Sequence, residues 1–535
     1  ELTIDKIFWR MPVLLMAALV MLPITVILLS WGTAETAIWQ HLIETQLGRL
    51  LSNTLLLVLG VAVWVTLLGV SLAWLTAMCD FPGRRWIDWA LMLPLAVPSY
   101  VLAFVALGLL SYSGPVQTLW RDTFGVEAWF PNVRGPGGVI FVLSMVLYPY
   151  VYMLARGAFL AQGRGLMDAA QLLGHSHIKS FLLVALPMAR PAIAAGVSLA
   201  LMETLADFGA VSIFNYDTFT TAIYKSWFGF FSLTAAAQLA SLLLLFVGLA
   251  LVAEQRARGN GRFHQQPKRK RVGFKLKGLQ GLLASAYCLL VVLLAFAVPV
   301  GQLLFWAFET AATDIGSRFW GLVQHTFLLG AMAACALLVM ALLVAYGQRL
   351  KGHHQAGYLE RLAGMGYALP GSVLAVGIMT AFAYFDRTLI NPLQVLLGLT
   401  PSQVLVGSVG ALLAAYVIRF FSVAYGPVQS SLERIRPSYQ EAAQMLGASK
   451  YDVLKRVYLP LLTPGLLSAL LLVLVDTMKE MPATLLLRPF GWDTLAVRIY
   501  EMTSEGEWQR AALPALVLVL ISIPPVIIMI RRSRA

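Results

Sequence analysis

The sequence predicts an all-α, polytopic membrane protein of about 12 transmembrane helices in two homologous six-helix halves. Three observations carry that prediction. Of 535 residues, 59% are hydrophobic and only 12% charged, with a mean hydropathy of +0.77; soluble domains carry about 25% charged residues. Apolar runs close to 20 residues long recur along the chain, each sufficient to cross a hydrocarbon core of about 30 Å. Finally, DAAQLLGHSHIKSFLLVALP at 168–187 returns as EAAQMLGASKYDVLKRVYLP at 441–460, displaced by 273 positions, about half the chain. Barrel strands would read as short alternating segments, and the sequence has none.

The first half places spans at roughly 11–31, 53–78, 87–112, 138–160, 190–213 and 232–253. The second places them at roughly 279–308, 322–347, 360–385, 404–425, 463–487 and 510–530. Residues 11–31 are long enough to span, with no convincing small-residue cleavage site after them, and read as a retained helix. Twelve spans put both termini on one side. Charge decides which side: EQRARGNGRFHQQPKRKRVGFKLK between the halves carries nine Lys/Arg against one Glu, and RRSRA closes the chain. The positive-inside rule puts both in the cytoplasm. The six outside segments (32–50, 113–137, 214–231, 309–321, 386–403, 488–509) hold eight of 39 Lys/Arg but twelve of 26 Asp/Glu.

Further segments repeat in register. PSYVLAF from Pro98 matches PGSVLAV from Pro370, NTLLL from Asn53 faces HTFLL from His325, and YDTFTTAIY answers WDTLAVRIY. Both halves have the same orientation, a parallel repeat about an axis along the membrane normal. The organisation expected is a first membrane domain at 1–253, a basic cytoplasmic linker at 254–278 and a second membrane domain at 279–535.

The net charge of +13 follows membrane topology and does not form a nucleic-acid-binding surface. Cys79, Cys288 and Cys335 are far apart in apolar surroundings and read as small buried hydrophobes. No GxxxxGK[ST] occurs, and the dipeptide Gly-Lys is absent, so no phosphate-cradling loop is evident. No nucleophile–base constellation stands out. Tyr148, Tyr150 and Tyr152 read as packing or interfacial aromatics ahead of metal ligands, and His175, His177, His353 and His354 as solvated surface.

The repeated motif is the polar exception in an apolar chain. EAAQMLG is a short helix of good helix formers, with Gly447 as a place to stop. SKYD restarts a helix with Ser449 as N-cap and Asp452 three residues on. A single copy would read as an ordinary interfacial loop; two copies in register favour docking.

That pattern (acid, Ala-Ala, three residues, Gly, nine residues, an aliphatic residue, one residue, Leu-Pro) resembles the signature loop of ABC importer permeases. Asp168, Ala169, Ala170, Gly174, Leu186 and Pro187 match it in the first copy; Glu441, Ala442, Ala443, Gly447, Leu459 and Pro460 match it in the second. Asp168 stands where Glu is usual, and Val184 and Val457 where Ile is usual. PGRRWIDWALMLPLAVPSYVLAF, YPYVYMLARGAF and KEMPATLLLRPFGWDTLAVRIYEMTSEGEW are similar to ferric iron transporter permeases, in which two permease domains are often fused. The resemblance implies a type I ABC importer permease fold in the bacterial cytoplasmic membrane, embedded in lipid. It implies two separate ATPase subunits carrying ATP-Mg, docked at the two loops, and an extracytoplasmic binding protein delivering Fe³⁺ as cargo. Permeases for thiamine or phosphonate share much of this scaffold. A major-facilitator transporter also has six plus six helices, but that architecture has no use for paired loops of this kind.

The fifth span of each half carries acids: Glu203 and Asp207 in LMETLADFGA, and Asp476 and Glu480 in LVDTMKEMPA, again displaced by 273. Spacing of i, i+4 places each pair on one helical face. Ionisable groups near the bilayer centre cost roughly 2.5–3.5 kcal/mol on insertion scales, so they need a partner or a wet path. Salt bridging by Lys479 or Arg190 is the alternative; the excess of negative charge favours a cation path lined by all four acids.

Overall fold

The computed structural model describes residues 9–33, 35–162, 172, 176–258, 274–350 and 357–534. Among them, twelve helices are long and apolar enough to cross a membrane. The first half supplies α1 (Met11–Gly32), α2 (Leu47–Met78), α3 (Ser99–Phe124), α4 (Pro136–Gln162), α5 (Phe181–Ala206) and α6 (Leu233–Val252). The second supplies α7 (Leu279–Asp314), α8 (Ser317–Leu350), α9 (Gly371–Leu396), α10 (Val409–Glu433), α11 (Lys450–Lys479) and α12 (Trp508–Ile528). The chain is an all-α polytopic membrane protein.

Lipid tails and a protein core are equally apolar, so hydrophobicity cannot tell the two faces of such a helix apart. Burial can. On α2, Leu57, Val61, Val65, Leu68 and Leu72 are buried while Leu55, Leu59, Val63 and Leu67 are exposed. The two stripes follow the helical period.

Four expected spans are broken. The stretch 87–112 divides into a helix at Arg84–Ala90, a 3-10 turn at Leu93–Ala96 and α3, which opens after Pro98. The stretch 360–385 divides the same way at Pro370. A residue before proline is pushed out of the α region, and Val97 (ψ 119°) and Leu369 (ψ 122°) are both extended. The stretches 190–213 and 463–487 break at Asp207 and Glu480, which are extended and followed by short helices at Gly209–Ile213 and Pro482–Leu487.

Four π-turns occur among the described residues, at Phe181–Ala185, Leu293–Ala297, Asp386–Ile390 and Leu454–Tyr458. Each stops two residues before a proline: Pro187, Pro299, Pro392 or Pro460. Proline has no N–H, and in a regular turn its ring collides with the carbonyl four residues back. The wider i→i+5 turn makes room for it. The Leu-Pro that ends both repeated motifs thus marks a π-turn at the mouth of the fifth span.

The chain packs as two compact units. One comprises Glu1–Trp39, Ile223–Ser241 and Thr313–Arg498. It combines α1, from the first half of the sequence, with α8–α11 from the second. There α1 runs against α9, where a Cβ on Gly377 would lie 2.5 Å from Pro23 Cβ. The other unit comprises Gln40–Ala222, Leu242–Ala312 and Ile499–Ala535, combining α2–α5 with α7 and α12. In its core, Val151 of α4 lies between Gly69 of α2 and Gly196 of α5; a Cβ on either glycine would come within 2.6 or 2.7 Å of it. Small residues let these helices close up. A parallel bridge pairs Cys79 with Phe274 and Asp80 with Lys275, tying the end of the linker to the end of α2. Cys79 and Cys288 are buried as expected; Cys335 is exposed instead, on α8. Burial and the neighbouring Asp80 push the Cys79 thiol up to about 11, which leaves it unreactive.

Candidate functional site

The second repeated motif forms a helix at Pro437–Met445, a turn, and a restart at Lys450. The turn is a Schellman motif: Ala448 N–H donates to the Ala443 carbonyl (3.0 Å) and Gly447 N–H to that of Gln444 (2.9 Å). Gly447 has φ +82°, a conformation that costs an L-residue its Cβ clearance. Ser449 and Asp452 form the expected capping box, with Ser449 Oγ accepting from the Asp452 N–H (3.1 Å).

Glu441 and Ala442 are exposed on this helix, Ala443 is half-buried, and Met445 and Leu446 at its tip are each 89% exposed. Two large apolar side chains thus stand exposed together at the helix end. Leu459 and Pro460 follow the π-turn, at the start of the straight part of α11.

The sequence reading missed what roots this loop. Tyr346 Oη of α8 donates to the Lys450 carbonyl (2.6 Å), and Arg349 Nη2, one turn on, donates to the Ile435 carbonyl (2.6 Å). Tyr458 Oη donates to Gln440 Oε1 (2.9 Å), and its ring meets that of Tyr346 edge-on, with centroids 5.5 Å apart. The helix is thereby bolted to both α8 and α11. Polar side chains at the ends of two apolar spans were the available signal.

In the first motif, Asp168, Ala169, Ala170 and Gly174 lie outside the described residues, as does His175. Leu186 and Pro187 open the straight part of α5. At the repeat-equivalent place to Tyr346 stands Trp74, packed against Phe181 (4.6 Å) and Phe159 (5.5 Å). His353 and His354, and most of the linker, also lie outside the described residues.

The acids of the fifth spans stand differently from expectation. Glu203 and Asp476 are half-buried within α5 and α11. Asp207 and Glu480 do not continue those helical faces; each is the residue at which the helix stops. Their carboxylates cap the short helices that follow. Asp207 Oδ1 accepts from the Val211 N–H (3.1 Å), and Glu480 Oε1 from that of Ala483 (2.9 Å). Within a bilayer, a broken backbone must find partners for its freed N–H groups inside the protein. Ser99 Oγ donates to Asp207 Oδ2. Glu480 pairs with Arg419 of α10 (3.2 Å), both side chains buried, a partner other than the Lys479 or Arg190 of the salt-bridging alternative.

Tyr148 and Tyr152 are fully buried as packing residues with polar ends. Tyr148 Oη donates to the Leu91 carbonyl (2.8 Å) and Tyr152 Oη to Asp88 Oδ1 (2.9 Å). Arg156 grips the same Asp88 with both arms, Nε to Oδ1 at 2.6 Å and Nη2 to Oδ2 at 2.7 Å. Among the described residues, no group of three or more His, Cys, Asp or Glu stands close enough to hold a metal ion.

Residues 66–258 and 338–531 each match the family model described as binding-protein-dependent transport system inner membrane component. Both matches begin inside the second span of a half, leaving α1 and α7 outside. The chain is 26% identical over 510 residues to the Fe(3+)-transport system permease protein FbpB 2 of Haemophilus influenzae, covering 94% of each. It is 22% identical over 503 residues to the ferric transport system permease protein FbpB of Actinobacillus pleuropneumoniae, covering 88% of this chain and 69% of that one. A protein named for 2-aminoethylphosphonate transport, the permease PhnV of Salmonella typhimurium, is 29% identical over 204 residues, 38% of this chain and 71% of its own.

Proposed function

The chain belongs to the family of binding-protein-dependent transport system inner membrane components, and on that premise we propose that it is the permease of an ATP-driven importer of ferric iron. The observation that carries the cargo is the similarity to a ferric permease along 94% of both chains, fused halves included. The phosphonate permease is similar over 38% of this chain only.

In this reading an extracytoplasmic protein delivers Fe³⁺, and both termini and residues 254–278 are cytoplasmic. Two ATPase subunits dock at 168–187 and 441–460. Met445 and Leu446 supply the apolar contact, and Glu441 the polar one. Motion of a docked subunit passes through the Tyr346, Arg349 and Tyr458 hydrogen bonds into α8 and α11. A stiff connection is needed for this, since a loose tip would absorb the stroke.

Carboxylates on the fifth spans lower the barrier to the cargo. Fe³⁺ is a hard ion that favours oxygen ligands, and a carrier must hold it weakly enough to let go. Spaced, half-buried acids such as Glu203 and Asp476 suit a transient relay. The test is the double variant Glu203→Gln/Asp476→Asn, which keeps size and removes two charges. Iron uptake is expected to fall while ATPase docking persists; wild-type uptake would remove the acids from the path.

A further inference from the structure

We propose that the two repeat-equivalent carboxylates at the breaks of the fifth spans have divided roles: Arg419 cancels the charge of Glu480, which is a positioning residue, whereas Asp207 keeps its charge for the cargo. The proposal rests on the cation reading above and assigns that charge to one half of the chain.

The two acids begin alike. Each is the first extended residue after its span, with φ −66°, ψ 127° at Asp207 and φ −67°, ψ 113° at Glu480. Each caps the next short helix, and each faces the opening of the third span of its half, at Ser99 or Gly371. There they diverge. In the first half a short acid meets a hydroxyl, with Ser99 Oγ donating to Asp207. In the second, the acid is one methylene longer and its neighbour has no side chain; a Cβ on Gly371 would lie 2.5 Å from Glu480 Oε1. Asp with Ser, and Glu with Gly, fill the same space in two ways.

The exchange of partners changes the charge. Glu480 Oε2 lies 3.2 Å from Arg419 Nε, an ion-pair distance without hydrogen-bond alignment. Arg419 Nη1 donates to the Leu369 carbonyl (3.0 Å), which fixes the guanidinium against the chain just before Pro370. The residue displaced by 273 from Arg419 is Val146, buried and apolar. A carboxylate paired with a buried guanidinium offers little net field to a passing cation, whereas one held by a hydroxyl offers most of its own. The same backbone device therefore carries charge in one half and is neutral in the other.

The test compares Asp207→Asn with the double variant Arg419→Gln/Glu480→Gln. Both keep a side-chain oxygen to accept from Val211 or Ala483. The readouts are radioiron uptake into proteoliposomes with the ATPase and binding protein, and Tm of the purified permease. Asp207→Asn is expected to cut uptake by about tenfold or more with Tm unchanged. The double variant is expected to stay within about twofold of wild type, and Glu480→Gln alone, which removes the carboxylate charge opposite Arg419, to lose both Tm and uptake. A folded double variant that has lost uptake overturns the proposal, as does full uptake by Asp207→Asn. Should the double variant not fold, Val146→Arg carries the test: it adds a cation at the matching place of the first half and is expected to cut uptake like Asp207→Asn. Wild-type uptake in a folded Val146→Arg refutes the division. Failure of the iron reading looks different, because the wild-type protein would then transport no iron at all.

Discussion

Valine at Gly447 perturbs the second motif through its backbone alone. Gly447 has φ +82°, and nothing lies within 4 Å of where its Cβ would stand. Steric contact with neighbours therefore contributes nothing, and the cost is the left-handed conformation itself. For an L-residue that cost is roughly 1–2 kcal/mol, and a β-branched side chain sits at the upper end. A cost of this size lowers occupancy of the native turn by a factor of about 5–30, and the apparent affinity for a docked subunit falls by the same factor. Asparagine tolerates the left-handed region better than other non-glycine residues, so Gly447→Asn controls for added bulk. The assay is co-purification of the ATPase subunit with permease variants at matched membrane abundance, alongside iron uptake. The expected order is Gly, then Asn, then Val in both readouts. Valine docking and transporting as well as glycine would refute the claim that the Schellman turn presents the contact surface.

Topology reporters at 122, 220 and 395 are expected outside and those at 172, 265 and 445 inside; an outside signal at 445 contradicts the docking account. Arg156→Gln leaves Asp88 buried opposite a lost cation, and breaking such a pair costs about 3–5 kcal/mol. It is expected to lower Tm and membrane abundance, with the double variant Asp88→Asn/Arg156→Gln recovering part of the loss. Equal Tm in the single variant and wild type would show the pair to be dispensable.

What the sequence disclosed was what is local or periodic. Twelve spans follow from length and hydropathy. The capping box at Ser449 and the stop at Gly447 follow from residue identity within a few positions. The breaks within the spans did not show, because a hydropathy window averages over Pro98, Asp207, Pro370 and Glu480; proline's effect on its predecessor was the readable clue at two of them. Arg419 stands 61 positions from Glu480, and no local rule connects them; Lys479 is nearer in sequence, and proximity along the chain was a poor guide to the partner. The assembly of α1 with α8–α11 was equally hidden, since a duplication records ancestry and leaves open which copy's helices pack together.

The most direct measurement is ATP hydrolysis by the permease, ATPase and binding protein reconstituted together in vesicles. The account predicts slow hydrolysis until binding protein loaded with Fe³⁺ is added, a marked rise when it is, and loss of that rise in Gly447→Val. Stimulation by a phosphonate- or thiamine-loaded binding protein with none from the iron-loaded one would contradict the cargo, and hydrolysis by the permease alone would contradict the division of labour.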